Sequence, residues 1–128
     1  MEGCVLRMLR LLNILSQGVL QPKALNVVGG GANIDVWNRI RSDASGLEVR
    51  KLSVTEATSL GTALFCKAGL DKTRSLKEIT GEWINVDKRF RPNKKHARIY
   101  KDLARLFEAQ IQSNRDVYQG LNRLRRKQ

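Results

Sequence analysis

Few residues of this 128-residue chain have the type and spacing to do chemistry, and three of them are consecutive glycines. Gly29, Gly30 and Gly31 follow Val27 and Val28 and lead into Ala32 and Asn33, reading VVGGGAN. Glycine lets a backbone turn sharply and lets a ligand lie against main-chain N–H groups. It also loses the most conformational entropy on folding, so a run of three needs a cause. Taken alone, the run supports two readings. One is a tight strand-to-helix turn with no ligand. The other is an anion site made from free N–H groups and the positive end of the next helix. The common nucleotide fingerprints do not fit. From Gly29 both G-x-G-x-x-G and the P-loop would need glycine where Ile34 stands, and the P-loop would need Lys-Ser/Thr where Asp35 and Val36 follow.

The other reactive residue types are sparse. His96 is the only histidine and has no cysteine near it, so no metal-ligand spacing exists. Cys4 and Cys66 stand far apart, which argues against a disulfide framework and for a reducing compartment, hence the cytoplasm. Asp43 invites a catalytic role, but on a helix after the glycine turn its expected role is structural. The net charge is +12 and unevenly spread. Residues 88–105 hold eight Lys/Arg against one acid, Asp102, and the last six residues add four more cations. Such a run is usually a solvated face. Its functional reading would be phosphate or nucleic-acid binding, but no nucleic-acid motif accompanies it.

The elements that must position these residues follow from periodicity. Polar residues at 7, 10, 13 and 17 leave Val5, Met8, Leu9, Leu12 and Leu15 on one face of a first helix, capped near Gly18. That segment reads as a core helix more than as a presequence, and no run reaches the length of a membrane helix. ALNVV (24–28) reads as a buried strand. Ile34, Trp37, Ile40 and Ala44 then mark a helix closed by Gly46, with Trp37 as core. LEVRKL (47–52) alternates as a second strand. Ser53 and Glu56 predict a capping box opening a helix with Ala57, Leu60, Gly61 and Leu64 on one face, where Gly61 implies close packing, and Gly69 ends it. Ser75 and Glu78 repeat the box. Residues 81–93 read as extended or loop, with the role of Trp83 open. Asn93 caps a long last helix whose stripe is His96, Ile99/Tyr100, Leu103, Leu106/Phe107 and Gln110/Ile111. Strands alternating with helices mean an α/β layer structure. Two strands are too few for so many helices, so the chain either borrows a sheet edge or is a piece of something larger.

VVGGGANIDVWNRIRSDASGLEVRKLSVTEATSLGTALFCKAGL (27–70) resembles the carboxyl-terminal region of FGGY-family carbohydrate kinases, such as xylulokinases and autoinducer-2 kinases. The matching pieces are the Gly-Gly-Gly-Ala turn, Trp37, Ser42-Asp43, Gly46, Glu56-Ala57, Leu60-Gly61 and Ala63. A later Pro…Tyr segment is matched by Pro92 and Tyr100 with one extra residue. The resemblance spans roughly residues 3–112. It implies part of a ribonuclease-H-like (actin-like ATPase) domain: two strands, covering helices and a long C-terminal helix, over residues 1–112. Residues 113–128 would be a basic helical or frayed tail.

In that family the glycine turn lies against the adenosine and α-phosphate of ATP. The resemblance therefore implies Gly29, Gly30, Gly31, Ala32 and Asn33 as nucleotide contacts, with ATP/ADP as ligand and Mg2+ expected for the full-length member. The family's Asp-x-Gly-Thr phosphate loop does not occur in this sequence. Its catalytic aspartate and sugar pocket belong to the same other part of the longer kinases. No catalytic residue is therefore expected here. The expectation is a carboxyl-terminal fragment of an ATP-dependent carbohydrate kinase, silent by itself and prone to self-association through exposed core surface. Nucleic acid and membrane are not expected partners. The alternative is a small basic nucleic-acid- or anion-binding module built on residues 88–105 and the tail.

Overall fold

A computed structural model describes residues 1–17, 21–54 and 56–126. The expected cap at Gly18 lies outside them. Helix α1 (Glu2–Ser16) buries Val5 and Leu6 and half-buries Met8, Leu9 and Leu12. Leu15, expected on the same face, is exposed, as are Leu11 and Ile14. The reason is where α1 packs. It meets α2 (Asp35–Ser45) and α5 (Lys94–Ser113), and no described element covers its last turn. Two polar contacts fix it to α5: Arg10 Nε donates to Glu108 Oε2 at 2.9 Å, and the Tyr100 hydroxyl donates to Glu2 Oε1 at 3.0 Å.

Strand β1 (Ala24–Val27) runs parallel to β2 (Glu48–Leu52), with Ala24 opposite Glu48 and Val27 opposite Lys51. Parallel neighbours need a crossover, and the glycine turn with α2 supplies it. The expected burial of β1 is not found: Asn26 and Val28 are exposed and the rest is half-buried. β1 is an edge strand, paired on one side only.

The expected two-strand count also needs correcting. Val86–Phe90 forms β3, antiparallel to β2, and completes a sheet of order β1-β2-β3. Its charged residues gave no apolar alternation to read, because only Phe90 is buried. The strand is held by its ladder and by ion pairs. Arg50 faces Arg89 across the ladder, and both donate to Glu48 Oε1, at 2.6 and 2.9 Å. Lys51 pairs with Asp87 at 2.8 Å, and Lys88 pairs with Asp35 at the start of α2. Part of the basic run is thus neutralised by acids from the first half of the chain.

Helix α3 (Ala57–Leu70) turns Ala57, Leu60, Gly61 and Leu64 inward as expected, and packs chiefly on α4 (Leu76–Trp83), whose Ile79 is fully buried. The α3 capping box does not form. Ser53 is instead used at the end of the sheet: its N–H donates to Asn85 O at 2.8 Å, and Asn85 N–H donates to its hydroxyl at 3.4 Å. Gly61 has no close neighbour either, since a Cβ there would meet nothing within 4 Å. Gly69 lies within the last turn of α3, which Asp71 follows. The Ser75–Glu78 box is complete.

Asn93 caps α5 as expected, its Oδ1 accepting from Lys95 N–H at 2.9 Å. No α5 side chain is fully buried. Ala97, Tyr100, Leu103, Ala104, Phe107 and Ile111 are half-buried, whereas Ile99, Leu106 and His96 of the expected stripe are exposed. Arg115–Arg125 form a further helix, α6, entirely exposed. No described helix is long and apolar enough to cross a membrane.

Candidate functional site around the glycine turn

β1 delivers the chain to the three glycines at its carboxyl end, where ligands sit in open α/β sheets. Gly29 has φ +80°, a left-handed angle that a side chain disfavours. Residues Gly30–Asn33 then form one 3-10 turn, closed by Ala32 N–H donating to Gly29 O at 2.9 Å. α2 follows, so no non-glycine residue need adopt a left-handed conformation.

Gly31 has a different cause. A Cβ on it would stand 2.7 Å from Cζ3 of Trp37, so the turn lies flat against the indole. Gly30 has neither constraint: its φ is not left-handed, and a Cβ there would meet nothing within 4 Å. A Cβ at Gly29 would also meet nothing among the described residues, so of the three only Gly30 has neither an angle nor a neighbour that calls for glycine.

α2 braces the turn from behind. Asn38 is fully buried; its Nδ2 donates to Ala32 O at 2.7 Å, and its Oδ1 accepts from Arg41 Nη1 at 2.8 Å. The Arg41 guanidinium stacks 4.0 Å from the Trp37 ring centroid. Burial lowers the Arg41 pKa. Trp37, expected as core, is half-buried beneath Gly31 and Arg41, and its buried Nε1 has no partner among the described residues.

One turn further on, α2 buries Ser42 and Asp43. The Ser42 hydroxyl lies 2.8 Å from Leu47 O and 3.0 Å from Phe90 O, joining α2 to the start of β2 and the end of β3. Asp43 Oδ1 accepts from Asn93 N–H at 2.7 Å, and Oδ2 lies 2.8 Å from His96 Nδ1. Asp43 therefore anchors the start of α5. The buried polar set Asn38, Ser42 and Asp43 was not apparent from the sequence. The apolar marks at Ile34, Ile40 and Ala44 pointed to a stripe in which Ile34 proves exposed. The signal available was the scarcity of large apolar residues between Trp37 and Gly46.

The sequence-expected contacts Gly29, Gly30, Gly31, Ala32 and Asn33 therefore form one turn, with Ala32 buried and Asn33 exposed. The basic run is not part of it, apart from Lys88 reaching Asp35. A separate groove of about 710 Å³ lies between α1, the end of α2 and α5, away from the glycines. Among the described residues no three His, Cys, Asp or Glu side chains gather as metal ligands. Cys4 and Cys66 are exposed free thiols.

A family model for the C-terminal domain of the FGGY family of carbohydrate kinases matches residues 1–70. The autoinducer-2 kinase of Salmonella paratyphi B is 30% identical over 101 residues, covering 79% of this chain and 19% of the relative. The xylulose kinase of Staphylococcus epidermidis is 23% identical over 108 residues, covering 84% of this chain and 22% of the relative. In three dimensions, the ligand-bound xylulose kinase of Lactobacillus acidophilus aligns with TM-score 0.84 at 20% identity, over 94% of this chain and 24% of that one. The gluconate kinase of Lactobacillus acidophilus aligns with TM-score 0.79 at 20% identity, over 88% and 23%. The fold is thus mixed α/β, consistent with a partial actin-like fold. The chain spans 19% to 22% of the length of these curated relatives.

Proposed function

The chain belongs to the FGGY family of carbohydrate kinases, within its C-terminal domain, and from that membership we propose that it carries the adenosine side of the nucleotide cleft of an ATP-dependent sugar kinase. Gly29, Gly30, Gly31, Ala32 and Asn33 are the proposed contacts. The observation that supports this best is Gly30. The fold itself accounts for Gly29 by its angle and for Gly31 by Trp37, but it leaves Gly30 open on its outer side. A missing side chain that the fold does not require is what close approach of a ligand would require.

In the parent reaction ATP supplies the phosphoryl group that a sugar hydroxyl accepts. Such transfer needs phosphate clamps, Mg2+ and a base held together. The residues of this turn would bind and orient the nucleoside end only. The Asp-x-Gly-Thr phosphate loop of the longer kinases is absent from these 128 residues, so the chain is proposed to be a catalytically silent C-terminal portion, with residues 113–128 as a basic tail. Its two free thiols suit the reducing cytoplasm.

The test is calorimetric titration with ATP, beside an assay of sugar-dependent ADP release. The expected affinity is weak, roughly high micromolar to millimolar, because one wall of the cleft acts alone. Gly30→Val should remove binding and leave the circular dichroism and melting curve unchanged. ATP binding that Gly30→Val leaves intact would refute the proposed contact. Turnover of xylulose or gluconate that survives repurification would refute the silent-fragment reading.

A further inference from the structure

We propose that Arg41 forms an anion subsite beside the glycine turn, taking a phosphate group of the bound nucleotide; this rests on the adenosine reading of that turn. Arg41 is half-buried, and one face of its guanidinium is covered by the Trp37 ring at 4.0 Å. Its acceptors are neutral: Asn38 Oδ1 at 2.8 Å and, at 3.5 Å, Gly31 O. Both are reached by Nη1. Arginine has five N–H donors in a planar fork, so Nη2 and Nε remain for another acceptor. Among the described residues no carboxylate forms an ion pair with it, although neighbouring cations do find acids: Lys88 takes Asp35, and Arg50 and Arg89 take Glu48.

A partly desolvated cation with only neutral acceptors is electrostatically incomplete. A phosphate oxygen pair matches the fork and completes it. The position fits, because Nη2 lies 3.6 Å from the point where a Gly31 Cβ would stand. The same point lies against the Trp37 ring, so glycine turn, indole and guanidinium meet at one place. Stacking on the indole and the bond to Asn38 hold the guanidinium in place before any ligand arrives.

The rival role is a structural brace for the turn, and the ligand series separates the two. Adenosine, ADP and inorganic pyrophosphate would be titrated into wild type, Arg41→Lys and Arg41→Met, with the Trp37 indole N–H resonance reporting whether the stack persists. The proposal expects Arg41→Met to weaken ADP by about tenfold while adenosine changes by less than about twofold. Arg41→Lys, with a charge but no fork, should fall between. Equal losses for adenosine and ADP would mean a brace and overturn the subsite, as would no loss for either. If wild type binds neither adenosine nor ADP, the adenosine reading fails. Pyrophosphate then decides the subsite: binding lost in Arg41→Met upholds it, and binding absent or unchanged overturns it.

Discussion

At the scale of single residues, each of the three glycines answers to a different physical cause. A series of alanine variants should show it in denaturant midpoints. Gly29→Ala forces a side chain into a left-handed angle and should cost about 1 kcal/mol. Gly31→Ala drives a methyl group into the Trp37 ring and should cost about 1–3 kcal/mol. Gly30→Ala should stay within about 0.5 kcal/mol of wild type. Three equal costs would contradict this division. The run itself was legible in the sequence, because three consecutive glycines next to β-branched residues stand out. The division was not, since it depends on where Trp37 lies six residues later. Asp43 shows the same limit. Its structural role was expected, but its partners Asn93 and His96 are 50 and 53 positions away. Asp43→Ala leaves the Asn93 N–H without that acceptor and should cost about 1–3 kcal/mol, measurable by urea unfolding.

At the scale of elements, two segments with one sequence pattern behave differently. S-x-x-E occurs at Ser53 and at Ser75, and only the second caps a helix. Ser75 is free of the sheet, whereas Ser53 extends the β2–β3 ladder through Asn85, so tertiary pairing overrides the local preference. Ser75→Ala should therefore cost about 1 kcal/mol of stability. Ser53→Ala should show no loss of α3 helicity by circular dichroism; a matching helicity loss in both variants would contradict the assignment. β3 was invisible in the sequence for a related reason: three of its four exposed residues are charged, and their partners Lys51, Asp35 and Glu48 lie far away in sequence. Asp35 and Glu48 make the sheet sensitive to acid. The Lys88 hydrogen bond holds Asp35 below the usual carboxylate range, and Arg50 first, then Arg89, do the same for Glu48. A depressed folded-state pKa means that the unfolded chain takes up the proton more readily. The stabilisation is then present above the unfolded pKa and lost as pH falls through the folded one. Stability should decline below about pH 4.5. Asp35→Asn and Glu48→Gln should flatten that decline in a pH series of urea midpoints, and an unchanged slope would refute the link.

At the scale of the whole molecule, much apolar surface has no covering element among the described residues. Phe65 and Leu70 on α3, Leu11 and Ile14 on α1, and Ile99 and Leu106 on α5 are each more than half exposed. The xylulose kinase structure of Lactobacillus acidophilus has about three quarters of its chain beyond the matched part. Exposed patches of this kind promote association, so sedimentation velocity should show species larger than a monomer at micromolar concentration. A monomer at all concentrations would contradict it. The adenosine proposal itself is tested most directly by following backbone amide and indole resonances during an ATP titration. The account predicts that amides 29–33 and the Trp37 indole N–H shift together and saturably, and that Gly30→Val abolishes those shifts. The competing outcome centres on Lys94, Lys95, Arg98 and Lys101, none of which forms an ion pair among the described residues. If residues 94–105 shift with ATP while 29–33 stay still, the glycine turn is not a nucleotide site and the basic face is a simple phosphate binder.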